Sequence, residues 1–254
     1  IGIVAGKKSP PTAARRRRSA VRTGPALTGP AAGHARMRTG ADPAGTTVYG
    51  VLNNCAGGKT PWGTILISEE NFNGYFGGGD PASMPDAANY KRYGVIADAR
   101  YPWHRSVERF DLAKEPHEPN RFGWMVEYDP YDPSSVPVKR TTLGRAKHEG
   151  ATSVVNKDGR VVFYMGDDER FDYMYKFVSK GRYREGDTEN NLTLLDEGDL
   201  FVAKFAGDGT GDEEHDGTGE WLPLVVDGRS AVPGMSLAEV LVYTRLAADR
   251  MGAT

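Results

Sequence analysis

From residue 122 onward, turn residues cut the sequence at short, regular intervals, and this limits the chain to a β-rich fold. Gly123 to Tyr128 reads as a strand, and Asp129-Pro130-Tyr131-Asp132-Pro133 as the turn that ends it. Val136 to Thr142 and Ala151 to Val155 read as the next two strands. Asn156-Lys157-Asp158-Gly159 is a hairpin turn, because its Asp-Gly step tolerates positive φ. Arg160 to Met165 returns as a fourth strand, and Met174 to Ser179, Leu200 to Phe205 and Glu220 to Leu224 add three more. The spacing predicts antiparallel sheets in a propeller, sandwich or barrel and does not choose among them. One C-terminal helix follows. Ser236 and Glu239 form its capping box, and Leu237, Val240, Leu241, Thr244, Ala247 and Ala248 keep the helical period. It reads as a structural helix packed on the sheets.

At 254 residues the chain can build one or two domains with a real core. Its 32 glycines and 16 prolines support many turns. A net charge of −2 gives no pull towards nucleic acid or an anionic membrane, and no 18-residue apolar run is present to span a bilayer. The single cysteine, Cys55, excludes a disulfide within the chain. Residues 1–27 stand apart, being rich in Pro, Ala and Arg with no period of 2 or 3.6. The Arg15 to Arg18 run is not an export signal, because Val21-Arg22-Thr23-Gly24-Pro25 follows where an apolar stretch is needed. This segment is expected to be a disordered or artefactual arm, with 28–254 forming the folded unit. A chain that starts at Ile1 is not expected to be a complete translation product.

Candidate chemistry concentrates between Asn53 and Asn71. Tyr49 to Leu52 and Thr64 to Ser68 read as strands joined by a turn containing Gly57, Gly58, Pro61 and Gly63. Cys55 is then expected where the first strand gives way to the loop, and Glu69 and Glu70 where the second ends. Side chains alternate along a strand, so at most one of that pair can share a face with a given partner. A thiolate suits iron and carboxylates suit calcium. Spacing alone is silent, however: there is no CxxC, HExxH or EF-hand loop, and a lone cysteine is usually a small buried hydrophobe. Asp167, Asp168 and Glu169 cluster at a strand end, as calcium ligands or as a solvated turn. Asn53 and Asn54 offer amides to phosphate oxygens, or serve a turn. His34 is a loop histidine, solvated or capping. Gly77-Gly78-Gly79 reads as a flexible loop rather than a phosphate cradle, because Asp80-Pro81 follows it. Asp208 to Glu220 reads as an exposed hairpin loop.

The motifs Asn53-Asn54-Cys55-Ala56-Gly57-Gly58, Thr60-Pro61-Trp62-Gly63-Thr64 and Glu69-Glu70-Asn71 resemble those of the PhoX-type alkaline phosphatases. The resemblance continues, in matching order, through Gly29-Pro30-Ala31-Ala32-Gly33-His34, Lys147-His148-Glu149-Gly150-Ala151 and Tyr164-Met165-Gly166-Asp167-Asp168. It also includes Tyr175-Lys176-Phe177-Val178-Ser179 and Gly219-Glu220-Trp221-Leu222-Pro223-Leu224, so that it covers roughly residues 28–254. An ordered set of this length is far more specific than one short pattern.

The resemblance implies a mainly β chain forming part of a β-propeller, with irregular loops and one C-terminal helix. It also implies a site for iron (Fe3+) and calcium (Ca2+) with Cys55, Glu70 and Glu149 among the ligands, to which Glu69 and Asp168 are added as weaker candidates. Asn53, Asn54 and His34 are the substrate-side candidates, phosphate monoesters the substrates, and no catalytic residue is named. A monomer located in the periplasm or outside the cell is expected. The family's Asp-Arg-Pro-Glu-Trp motif, with further site residues, would come after Gly252-Ala253-Thr254, so this chain alone is expected to bind metal poorly and turn over weakly. A non-catalytic propeller that binds ligands is the alternative. A structural protein with Cys55 in its core, far from Glu70 and Glu149, is the third reading.

Overall fold

A computed structural model describes residues 24–209 and 217–254, so the arm expected over 1–27 lies outside the described residues up to residue 23. The last residues of that segment belong to the fold: Ala26–Thr28 form β1, and Leu27 is buried.

Among the described residues the chain is mainly β, in two sheets. The first contains β1, β2 (Asn54–Lys59), β3 (Ile65–Glu69), β4 (Met125–Tyr128) and β5 (Val138–Arg140), in the order β1-β5-β4-β3-β2. Its one parallel pair is β1 with β5. The second is an antiparallel meander of β6 (His148–Val155), β7 (Arg160–Asp167), β8 (Met174–Arg182), β9 (Gly198–Ala206), β10 (Thr218–Val226) and β11 (Arg229–Ser230). Neither sheet closes on itself.

The turn-delimited strands appear where the pattern puts them; five are two to four residues longer than expected, while β4 and β5 are shorter. The Asn156 to Gly159 hairpin forms with Gly159 at φ 83° and its N–H donating 2.8 Å to the Asn156 carbonyl. The Asp208 to Glu220 segment joins the antiparallel strands β9 and β10, and its residues 210–216 lie outside the described residues. Of the four α-helices among the described residues, α1 (Ala87–Tyr93) and α2 (Thr188–Leu192) are short.

The C-terminal helix is two helices, α3 (Leu237–Val242) and α4 (Thr244–Met251). The capping box forms as expected. The break falls at Tyr243, whose φ of −112° and ψ of 40° leave the helical region. Thr244 Oγ1 accepts the Arg145 N–H at 2.8 Å and donates to the Leu241 carbonyl at 2.8 Å. Local side-chain bonding of this kind competes with the helix ladder.

The stretch around Cys55 also departs from expectation. Tyr49 to Leu52 is not a strand, and the Leu52 N–H goes to the Glu69 carboxylate at 3.0 Å instead of to a ladder. The strand begins after Asn53, which holds a positive φ of 49°. The tight turn lies farther on, closed by Thr60 N–H to the Thr64 carbonyl at 3.0 Å. Gly57 and Gly58 are therefore inside β2. A Cβ on Gly57 would overlap the Leu66 carbonyl of β3, and one on Gly58 the Ala151 carbonyl of β6. The pair serves as a bare strip of backbone on which β6 lies directly, so the two sheets meet at β2 and β6. Ser153 Oγ fastens the same seam, donating 3.2 Å to the Lys59 carbonyl. Gly58→Val should prise this seam apart, costing roughly 1–3 kcal/mol as overpacking does. Urea unfolding of the variant against wild type measures it, and an unchanged midpoint would contradict the close approach.

The triple glycine is packed rather than loose: Gly77 and Gly78 donate to the carbonyls of Phe110 and Ala97 at 3.2 and 2.9 Å. Tyr101 and Trp103 pack on Tyr75 with ring centroids 4.7 Å away, as an aromatic cluster on an irregular segment.

Candidate metal centre at the sheet seam

Cys55 comes from β2, Glu70 from the residue after β3, and Glu149 from β6, so the seam draws them together. Their ligand atoms all lie within 4.8 Å of one another. Cys55 Sγ is 3.4 Å from Glu149 Oε1. The cysteine is exposed, which removes the reading of Cys55 as a core residue.

Two β-bulges aim these side chains. In β2, three steps from Asn54 to Gly57 face two steps from Glu69 to Ile67, so one extra residue is accommodated at Cys55 or Ala56. In β6, two steps from His148 to Gly150 face one from Asp167 to Gly166, which places an extra residue at Glu149. A bulge interrupts the alternation of side chains and re-aims the residue it contains. Here one bulge on each side of the seam sends Cys55 and Glu149 to a common point.

The carboxylate pair splits as alternation requires. Glu70 joins the cluster. Glu69 points the other way and is buried, taking Lys139 Nζ at 2.8 and 3.0 Å and the N–H groups of Leu52, Gly123 and Trp124. A carboxylate so fully engaged has little left to offer a cation, and Glu69, a weaker ligand candidate, is not among the clustered residues. Burial pushes the Lys139 ammonium below its ordinary value, against the pull of Glu69.

The turn after β7 also divides its acids. Asp167 is held by Arg245 and Glu169 by Lys147, whereas Asp168 is near enough to Glu70 to help raise its pKa. Asp168 thus adjoins the cluster. The partner of Asp167, Arg245, lies 78 residues away, and no spacing rule signals that contact.

Asn53 is a local brace: its Oδ1 accepts the Asn71 N–H at 3.0 Å, its carbonyl accepts the Glu70 N–H at 3.1 Å, and its Nδ2 reaches Tyr75 Oη at 3.4 Å. These contacts serve the turn. Asn54 is exposed beside Cys55. His34 stands apart from the triad. It caps a short 3₁₀ turn by accepting the Arg36 N–H at 3.3 Å. Burial lowers its pKa, against the opposing pull of Glu239.

The electrostatics suit a cation. The Ala56 N–H favours the Cys55 thiolate, but partial desolvation and the carboxylates of Glu149 and Glu70 outweigh it and raise the thiol above its usual value. Glu70 is raised by burial and by Asp168, although contacts with Cys55 and Asn71 oppose the rise. Acidic groups that resist ionising together will ionise once a positive ion sits among them. One sulfur with several carboxylate oxygens is a donor set able to hold a softer ion at the sulfur and a hard one at the oxygens. By contrast, a cavity of about 450 Å³ between Arg160, Lys180, Asp199 and Leu241 lies at the opposite strand ends and shares no residue with the cluster.

Together these features define a class: a mainly β protein with a mixed thiol and carboxylate cluster at the junction of two sheets. The family model for the alkaline phosphatase PhoX matches residues 8–254, so the chain belongs to the PhoX alkaline phosphatase family. A solved structure of Pseudomonas fluorescens PhoX in complex with vanadate, a transition state analogue, is 46% identical with a TM-score of 0.83. The match covers 92% of this chain and 41% of that one, so the chain spans less than half the length of that relative. No curated protein matches the chain.

Proposed function

We propose that the chain supplies the thiolate and carboxylate part of a metal-dependent phosphate monoester hydrolase. The convergence of Cys55, Glu70 and Glu149 within 4.8 Å carries this reading. Cys55, Glu70 and Glu149 would hold iron and calcium between them, with Asp168 as a further carboxylate candidate. Bound there, these ions would act as Lewis acids, offsetting charge on the phosphoryl oxygens. The residues do the rest. The bulges fix the direction of the donors, Asn53 and Asn71 brace Glu70, and Asn54 offers an amide to a phosphate oxygen beside Cys55.

The family match and the vanadate complex of the P. fluorescens relative support hydrolysis of phosphate monoesters. The meander β6 to β11 is consistent with part of a propeller. The match covers 41% of that relative, and turnover by the 254 residues alone is expected to be weak. By the same family likeness, the protein would act as a monomer in the periplasm or outside the cell. Among the described residues, no helix is long and apolar enough to cross a membrane.

The test is hydrolysis of p-nitrophenyl phosphate with iron and calcium supplied, for wild type and Glu149→Ala. Weak turnover that Glu149→Ala eliminates supports the proposal. Turnover indifferent to Glu149→Ala would refute it, and phosphate binding without any turnover would favour a non-catalytic binding module.

A further inference from the structure

We propose that His148 is a positioning residue for Glu149, latching the bulge in β6 that turns this carboxylate out towards Cys55. This rests on the metal-site reading above. Ala151 of β6 and its partner Met165 of β7 both face the core. By strand alternation Glu149 would lie on the same buried face as Ala151, and His148 on the outer one. The structure has the reverse: His148 is fully buried and Glu149 is exposed. The exchange comes from the bulge, which pairs His148 with Asp167 and leaves Glu149 as the extra residue. In an unbulged ladder Glu149 would stand opposite Asp167, whose carboxylate is fully buried beside Arg245. Like charges opposite one another on paired strands are unfavourable.

The bulged register is held by the His148 ring. Its Nε2–H donates to the Gly144 carbonyl at 3.0 Å. Gly144 is itself held fast, its N–H donating to the Thr141 carbonyl at 3.1 Å. The next amide, that of Arg145, donates to the Leu241 carbonyl at 3.1 Å and to Thr244 Oγ1 at 2.8 Å. The start of β6 is thus tied through the ring to the break between α3 and α4. A glutamate in the same interior place could not make this tie, because a carboxylate has no proton to give a carbonyl. Packing does not ask for a histidine here either. An apolar side chain would fill the space, and His148 Nδ1 has no partner among the described residues. A buried ring with one idle nitrogen costs stability. What it contributes is the register, since a slip of one residue sends Glu149 to the other face. A residue that only packs would stabilise the protein without affecting the donors at the seam.

The experiment is a calorimetric Ca2+ titration of the full 254-residue chain as wild type, His148→Leu, His148→Gln, Glu149→Gln and the double variant of His148→Leu with Glu149→Gln. Leucine fills the place of the ring without a donor, whereas the amide nitrogen of glutamine reaches the position of Nε2. His148→Leu should weaken Ca2+ binding about tenfold, the lower end of what supporting residues contribute to metal sites. His148→Gln should keep the wild-type affinity. The double variant should bind no more weakly than Glu149→Gln alone, because His148 acts only through Glu149. Wild-type affinity in His148→Leu, an equal loss in His148→Gln, or losses that multiply in the double variant would overturn the proposal. Should His148→Leu fail to fold, His148→Asn, whose amide falls short of Gly144, takes its place. If wild type takes up no Ca2+, the metal-site reading fails, and a crystal structure of metal-free His148→Leu still decides the positioning role. Glu149 Oε1 withdrawn from Cys55 Sγ, which it meets at 3.4 Å in wild type, supports it, and the contact retained refutes it.

Discussion

Cys55→Ala should lower the affinity of the chain for Fe3+ on the order of a hundredfold or more, while its unfolding midpoint without metal stays where it was. The first half follows from chemistry: the thiolate is the one soft donor of the cluster, and supporting residues that never touch the ion already contribute roughly 10–100-fold. The second half follows from exposure. Cys55 is exposed, so its loss leaves no cavity, and surface changes of this kind stay within about 0.5 kcal/mol. Fe3+ titration followed through thiolate-to-iron absorbance, set beside thermal melts of the metal-free proteins, measures both halves. Iron binding equal to wild type would show that the triad is not a metal site. A large fall in the metal-free midpoint would show that Cys55 is a packing residue.

Lys139→Ala should cost about 3–5 kcal/mol, the range for removing one partner of a buried ion pair. Lys139 and Glu69 are both fully buried, and the ammonium also donates to the Arg121 carbonyl at 3.0 Å. Without it, the Glu69 carboxylate would be left in the interior with only three backbone N–H groups around it. Replacing both residues by apolar ones should not rescue stability, because those N–H groups would then lose their acceptor. Glu69 also anchors the end of β3 immediately before Glu70, so the variant should bind metal less well in addition to unfolding sooner. Guanidinium unfolding of Lys139→Ala, Glu69→Leu and the double variant separates these effects. A double variant as stable as wild type would mean that the backbone contacts of Glu69 contribute little.

Much of the fold was legible because turns announce themselves locally. Asp158-Gly159 and the proline-rich turn after Tyr128 fixed the order of the strands without any tertiary information. The split of Glu69 from Glu70 followed from strand alternation alone. What misled was Gly57-Gly58, which locally reads as a turn. Its glycines are needed because two neighbouring backbones approach it, and one of them, β6, lies more than ninety residues further along. The C-terminal helix broke at Tyr243 for a similar reason, since the Thr244 hydroxyl is claimed by the backbone of Arg145. The triad was reached through family likeness rather than spacing, because the bulges that aim Cys55 and Glu149 are products of register. Register has no signature in a run of letters.

The seam has a mechanical side. Cys55 and Glu70 travel with one sheet and Glu149 with the other, so an ion gripping all three acts as a rivet through the joint. Its binding energy is spent on holding two plates together, and amide exchange along both facing edges should slow as the rivet is set.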